Sequence, residues 1–115
     1  MRILLRHVVR VLLCLFMLPA HAQDDTLYLP LRAITIEDGL SQGMVNTIVQ
    51  DRYGYMWLAT KDGLNRYDGY TFTVFRHDPE DSTTVRSNYI YTLMEDRQGR
   101  LWVGTAEGID LFDRT

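Results

Sequence analysis

The 115-residue chain holds one Cys (Cys14), one Lys (Lys61) and three His (His7, His21 and His77). A single thiol builds neither an internal disulfide framework nor a thiolate zinc site. No Gly-x-Ser-x-Gly elbow, no His-x-x-x-His pair and no phosphate-cradling glycine pattern occurs. Nucleophilic and general acid–base catalysis therefore lack their usual players. Positive charge is also scarce: 12 Lys+Arg stand against 15 Asp+Glu, a net charge of −3. That balance is a poor electrostatic match for nucleic acid, and none is expected as a partner. The longest apolar run near the N-terminus, from Val11 to Leu18, has eight residues. A membrane-spanning helix needs about 20. What is present is an ordinary apolar fraction, 46%, with seven Tyr and two Trp. Such a chain is not intrinsically disordered, and its length bounds it at one small domain or a piece of a larger one.

The first 22 residues read as an export signal. Arg2, Arg6 and Arg10 precede the apolar run, and Pro19-Ala20-His21-Ala22 closes it with an Ala-x-Ala cleavage pattern before polar Gln23-Asp24-Asp25. Cleavage after Ala22 removes Cys14, His7 and His21. It leaves 93 residues with nine Lys+Arg against 15 Asp+Glu, a charge of −6. The protein is thus expected outside the cytoplasm, periplasmic or on the outer face of the cytoplasmic membrane. A linker over residues 23–30 follows.

The rest of the chain repeats itself. Asn46–Asp68 aligns without a gap on Tyr91–Asp113 at an offset of 45 residues, with eight of 23 pairs identical. The shared positions include Asp51/Asp96, Arg52/Arg97, Gly54/Gly99, Trp57/Trp102, Thr60/Thr105 and Gly63/Gly108. Each unit reads as short strands between turn signals. In the first unit these are 45–50, 56–60, 64–67 and 70–76; in the second, 89–95, 101–104 and 109–113. A further strand-like piece spans 31–36. Four antiparallel strands in about 45 residues form one blade of a β-propeller. The expected fold is all-β: a partial propeller with one complete blade, about 41–76, and an incomplete second, about 86–115.

Closed propellers use about four to eight blades, or about 180 to 360 residues. The 93 residues after Ala22 fall short of that. The chain is accordingly expected to be the N-terminal piece of a longer protein, with further blades of that protein as neighbours. The other route to closure is a small subunit that oligomerises.

The segments Glu37–Ser41, Val49–Phe75 and Met94–Asp113 resemble the two-component regulator propeller repeat. That pattern runs acidic-Asp-x-x-Gly, hydrophobic-Trp-hydrophobic, Gly-Thr, then Gly-hydrophobic and an aromatic-Asp end. The second unit follows it throughout; the first departs at Gln50 and Ala59. The resemblance implies the extracytoplasmic sensor region of a two-component receptor, commonly a hybrid histidine kinase that works as a homodimer. It implies an oligosaccharide or other small ligand, no catalysis by this segment, and no cofactor. The alternatives are a fragment of a secreted, lyase-like propeller enzyme and the sensor region of a diguanylate cyclase.

The repeated residues are read as structural. Asp51 and Asp96 each open a turn three residues before a Gly, where a short carboxylate accepts a backbone N–H two residues on. No Asp-x-Asp-x-Asp-Gly run accompanies them, so no metal site is expected there. Trp57 and Trp102 sit mid-strand among apolar neighbours and read as core, although Trp also stacks on sugars. For a sugar platform, Tyr53, Tyr70 and Tyr89 are better placed. The acidic loop Asp78, Glu80, Asp81 reads as a solvated connection. No individual residue is identified as catalytic or ligand-binding.

Overall fold

A computed structural model describes residues 1–15 and 19–114. It divides into two units, Met1–Leu31 and Arg32–Thr115. In the first, helix α1 spans Arg2–Leu15, a Leu- and Arg-rich run free of Gly and Pro, which suits helix. Residues 19–31 carry no regular secondary structure. Of the apolar run read as the signal core, Phe16, Met17 and Leu18 lie outside the described residues. No helix among the described residues is long and apolar enough to cross a membrane.

The second unit is two antiparallel meanders. Strands β1 (Val45–Gln50), β2 (Met56–Thr60), β3 (Gly63–Tyr67) and β4 (Phe72–Phe75) form a four-stranded sheet in that order. Strands β5 (Ile90–Glu95), β6 (Leu101–Thr105) and β7 (Gly108–Phe112) form a three-stranded sheet. We call them blade one and blade two. The repeat in sequence is a repeat in register: Thr60 pairs with Gly63 and Thr105 with Gly108 across the same two-residue turn. Both inner strands are irregular at the same place, between Val45 and Thr47 and between Ile90 and Thr92.

The turns explain the glycines. Gly63 has φ +113°, which a residue with a Cβ rarely adopts, and a Cβ there would lie 2.8 Å from the Phe75 carbonyl oxygen. Glycine thus lets β4 approach the start of β3.

The piece over 31–36, read above as a strand, is not one. Residues 31–35 have no regular structure, and Ile36–Asp38 forms a single 3₁₀ turn. Local bonds outcompete a ladder here. The Asp38 carboxylate accepts the Thr35 N–H at 2.8 Å, and the Thr35 hydroxyl oxygen accepts the Glu37 N–H at 3.2 Å. Gly39, at φ +109°, then ends the turn. The fourth strand is also shorter than 70–76, because Asp68 takes the Tyr70 and Thr71 N–H groups, both at 2.8 Å, into a side-chain turn.

The core lies between the sheets. Trp57, Ala59 and Leu64 from blade one meet Ile90, Leu93, Leu101 and Val103 from blade two in one buried cluster. Phe75 stacks on Trp57 with ring centres 5.7 Å apart, and Phe112 meets the same indole edge-on at 5.6 Å. Neither sheet could bury these side chains alone. The inner strands are joined through side chains: Asn46 Nδ2 donates to the Ile90 carbonyl at 2.8 Å and Thr47 Oγ1 to that of Tyr91 at 3.0 Å.

Candidate functional site

Ten of the repeated residues, Asp51, Gly54, Trp57, Thr60 and Gly63 with their partners Asp96, Gly99, Trp102, Thr105 and Gly108, make the same two devices in each blade. At the β1–β2 turn, Asp51 Oδ1 accepts the N–H groups of Tyr53 at 2.9 Å and Tyr55 at 3.0 Å. Its Oδ2 accepts the Trp57 indole N–H at 2.7 Å. Asp96 does the same with Gln98, Arg100 and the Trp102 indole, at 2.9, 3.0 and 3.0 Å. One carboxylate thus shapes the turn and fixes the ring that follows it. At the β2–β3 turn, Thr60 Oγ1 donates to the Gly63 carbonyl at 2.9 Å and accepts the Asp62 N–H at 3.0 Å. Thr105 repeats this with Gly108 and Glu107 at 2.9 and 3.1 Å. Gly54 and Gly99 complete the first turns, each donating its N–H to the carbonyl of the Asp three residues earlier.

The two carboxylates stay charged. Burial pushes the Asp51 carboxyl up, but hydrogen bonds from Trp57, from the Tyr55 and Tyr53 backbone and from Arg114 outweigh it and hold it below its ordinary value. At Asp96 burial is outweighed in the same way by Trp102, by the Arg100 backbone and side chain and by Gln98, and the carboxyl is held far down.

Charged side chains close the seam beside these turns. Arg114 pairs with Asp51 at 2.5 Å and with Glu95 at 2.7 Å, and lies over the Tyr53 ring. The Arg52 backbone N–H donates to both Glu95 carboxylate oxygens at 3.1 Å, and its Nη2 donates to the Arg97 carbonyl at 2.7 Å. Motif reading singled out neither Glu95 nor Arg114. The identical Asp-Arg pair at 51–52 and 96–97 was the available signal. Asn65 was missed too. It is fully buried, takes the Ser41 N–H at 3.0 Å and donates to the Ser41 hydroxyl at 2.7 Å, which ties the entering segment to β3. Its repeat partner is Asp110, so alignment gave no hint.

The opposite side of the seam opens into a cleft of about 670 Å³. Trp57, Leu64, Phe75 and Phe112 line its apolar part, while Arg76 and Asp110 supply charge at its edge. An apolar floor with a few polar groups suits a small amphipathic ligand. Of the loop aromatics, Tyr53 and Tyr70 stand on turns at one end of blade one. Tyr89 stands at the other, beside Lys61, whose ammonium lies 5.4 Å from its ring centre. The fold therefore does not gather the three into one platform. Trp57 is 1% exposed and offers no face to a sugar, whereas Trp102 is half-buried beneath Arg100. In the acidic loop, Asp78 accepts the Glu80 N–H and Asp81 the Thr83 N–H and hydroxyl. Among the described residues no group of three acidic, His or Cys side chains is placed to hold a metal ion.

Comparison with known proteins agrees with this architecture. A family model described as "Two component regulator propeller" matches residues 39–62 and 84–107. Each match spans the first two strands of a blade and the turn between them. A stretch of 54 residues is 50% identical to "Histidine kinase P4" of Formosa agariphila. That stretch is 47% of this chain and only 4% of the relative. The two component regulator propeller model thus matches the chain twice in tandem, once in each blade.

Proposed function

We propose that the chain is the extracytoplasmic, ligand-sensing propeller segment of a two-component receptor of the hybrid histidine kinase kind, and that it binds rather than catalyses. The observation that carries this is the pair of regulator-propeller matches together with the identity to a stretch of a histidine kinase. Residues 1–22 act as the export signal, on the strength of the three arginines, the apolar run and the Ala-x-Ala pattern. The ligand is a carbohydrate or another small amphipathic molecule. The apolar cleft edged by Arg76 and Asp110 supports that chemistry. A ligand seated there touches both blades at once, through Val74 and Phe75 on one side and Phe112 on the other. It therefore favours one arrangement of the blades over another, and in a receptor homodimer that bias reaches the kinase as a shift of populations.

Two measurements test this. A phosphatase reporter that is active only outside the cytoplasm, fused after Leu31, should be active in the host. An inactive fusion would remove the extracytoplasmic reading. Autophosphorylation of the intact receptor should respond to an oligosaccharide panel, and Phe112→Ala should weaken that response. A response untouched by this substitution would place the ligand elsewhere.

A further inference from the structure

In the seam, blade one gives an arginine and blade two receives it. The Arg52 N–H meets the Glu95 carboxylate, and its Nη2 meets the Arg97 and Asp96 carbonyls at 2.7 and 3.4 Å. Its guanidinium lies against Gly99, where a Cβ would come within 2.8 Å of it. Receiving thus needs a Glu, a Gly and two turned carbonyls.

One repeat on, Arg97 holds the place of Arg52. It is exposed, and among the described residues neither its guanidinium nor its backbone N–H has a partner. Beside it the half-buried Trp102 and the exposed Ile109 form the face that in blade one is Trp57 and Leu64 and is covered. One repeat back, the receiving place on blade one is half built. Gly54 has nothing within 4 Å of where a Cβ would sit, but exposed Gln50 stands where blade two has Glu95.

We propose that Arg97 is the giving half of a second clasp. It docks a further blade of the same repeat whose β1–β2 turn carries an acidic residue in the place of Glu95 and a glycine in the place of Gly99. The inference rests on the reading of this chain as stacked blades. What it adds is the chemistry of the neighbour. A carboxylate there takes a backbone N–H and faces a guanidinium, a charge-assisted arrangement that an amide cannot match. Gln50 therefore makes the open face of blade one a weak acceptor for Arg97 of a second copy. Two copies of this chain are kept from closing firmly head to tail.

The test completes the acceptor. Self-association of the full chain is measured by sedimentation for wild type, for Gln50→Glu, and for Gln50→Glu with Arg97→Ala. Both positions are exposed, so the fold should hold, and circular dichroism checks that it does. Gln50→Glu should tighten association about fivefold at low salt, and Arg97→Ala should return it to the wild-type value. Association that ignores both substitutions would overturn the clasp and leave blade stacking standing. No association of any variant would overturn both.

Discussion

Leu93 of blade two is 5% exposed, while Ile48, its counterpart one repeat earlier, is 55% exposed. On the other face the order reverses: Leu64 of blade one is 3% exposed and Ile109 of blade two 68%. The first three strands of the two sheets share order, register and turn bonds, and although only blade one adds a fourth strand, beside Leu64, the reversal between the two faces does not come from local structure alone. It comes from which side of each sheet has a neighbour. Every blade has two unlike apolar faces, an Asp–Trp face and a Leu/Val face, and one covers the other. A join between unlike faces repeats without closing on itself after one step.

The largest effect expected from that asymmetry is at the tryptophans. Trp57→Ala should cost about 3–5 kcal/mol and Trp102→Ala roughly 1–2 kcal/mol, because only the first ring is enclosed by the second blade. Urea unfolding of the two variants measures this, and equal costs would break the comparison. Next, Leu93→Ala should cost about 2–4 kcal/mol against under about 0.5 kcal/mol for Ile48→Ala. Thermal melts of the pair should separate clearly.

The third concerns acid. Both turn carboxyls lie below their ordinary value of 3.8 when folded. The unfolded chain therefore binds protons first as the pH falls, and their contribution is complete above that value and lost below it. Melting temperature should be level above about pH 5 and drop below about pH 4. Asp96→Asn should flatten the acid limb more than Asp51→Asn, since Asp96 is held further down. Smallest is the glycine pair. Gly63→Ala should cost about 1 kcal/mol more than Gly108→Ala, both at positive φ, because only at Gly63 does a backbone oxygen stand in the way. Hydrogen exchange at β4 should report the strain.

Much of the blade was legible in the sequence, because turns are written locally. A short carboxylate three residues before glycine, or a Thr three before one, specifies a turn within a handful of residues, and β1 and β2 fall at 45–50 and 56–60 as read. The segment 31–36 misled because apolar alternation says nothing about a Thr35–Asp38 bond that ties the backbone up. The seam was largely illegible for a different reason. Arg52 meets Glu95 and Arg97 across a whole repeat, and Arg114 reaches Asp51 across 63 positions. No local pattern fixes such pairs. The unused clue was that Arg follows Asp in both units although the turn itself asks nothing of it. Asn65 carried no clue, since blade two has Asp110 in its place, paired with Arg86.

The bonds from Asn46 and Thr47 to the Ile90 and Tyr91 carbonyls have a mechanical meaning. Neighbouring inner strands are stitched by side chains and do not continue one another's ladder. The pair behaves as two stiff plates on a compliant seam. A load that pries the plates apart meets the stitches one after another, while every ladder bond within each plate stays whole. A load along the strands must shear many ladder bonds together. The molecule should therefore yield more readily to a load that pries its plates apart than to one along the strands, which a pulling experiment from two pairs of attachment points would compare.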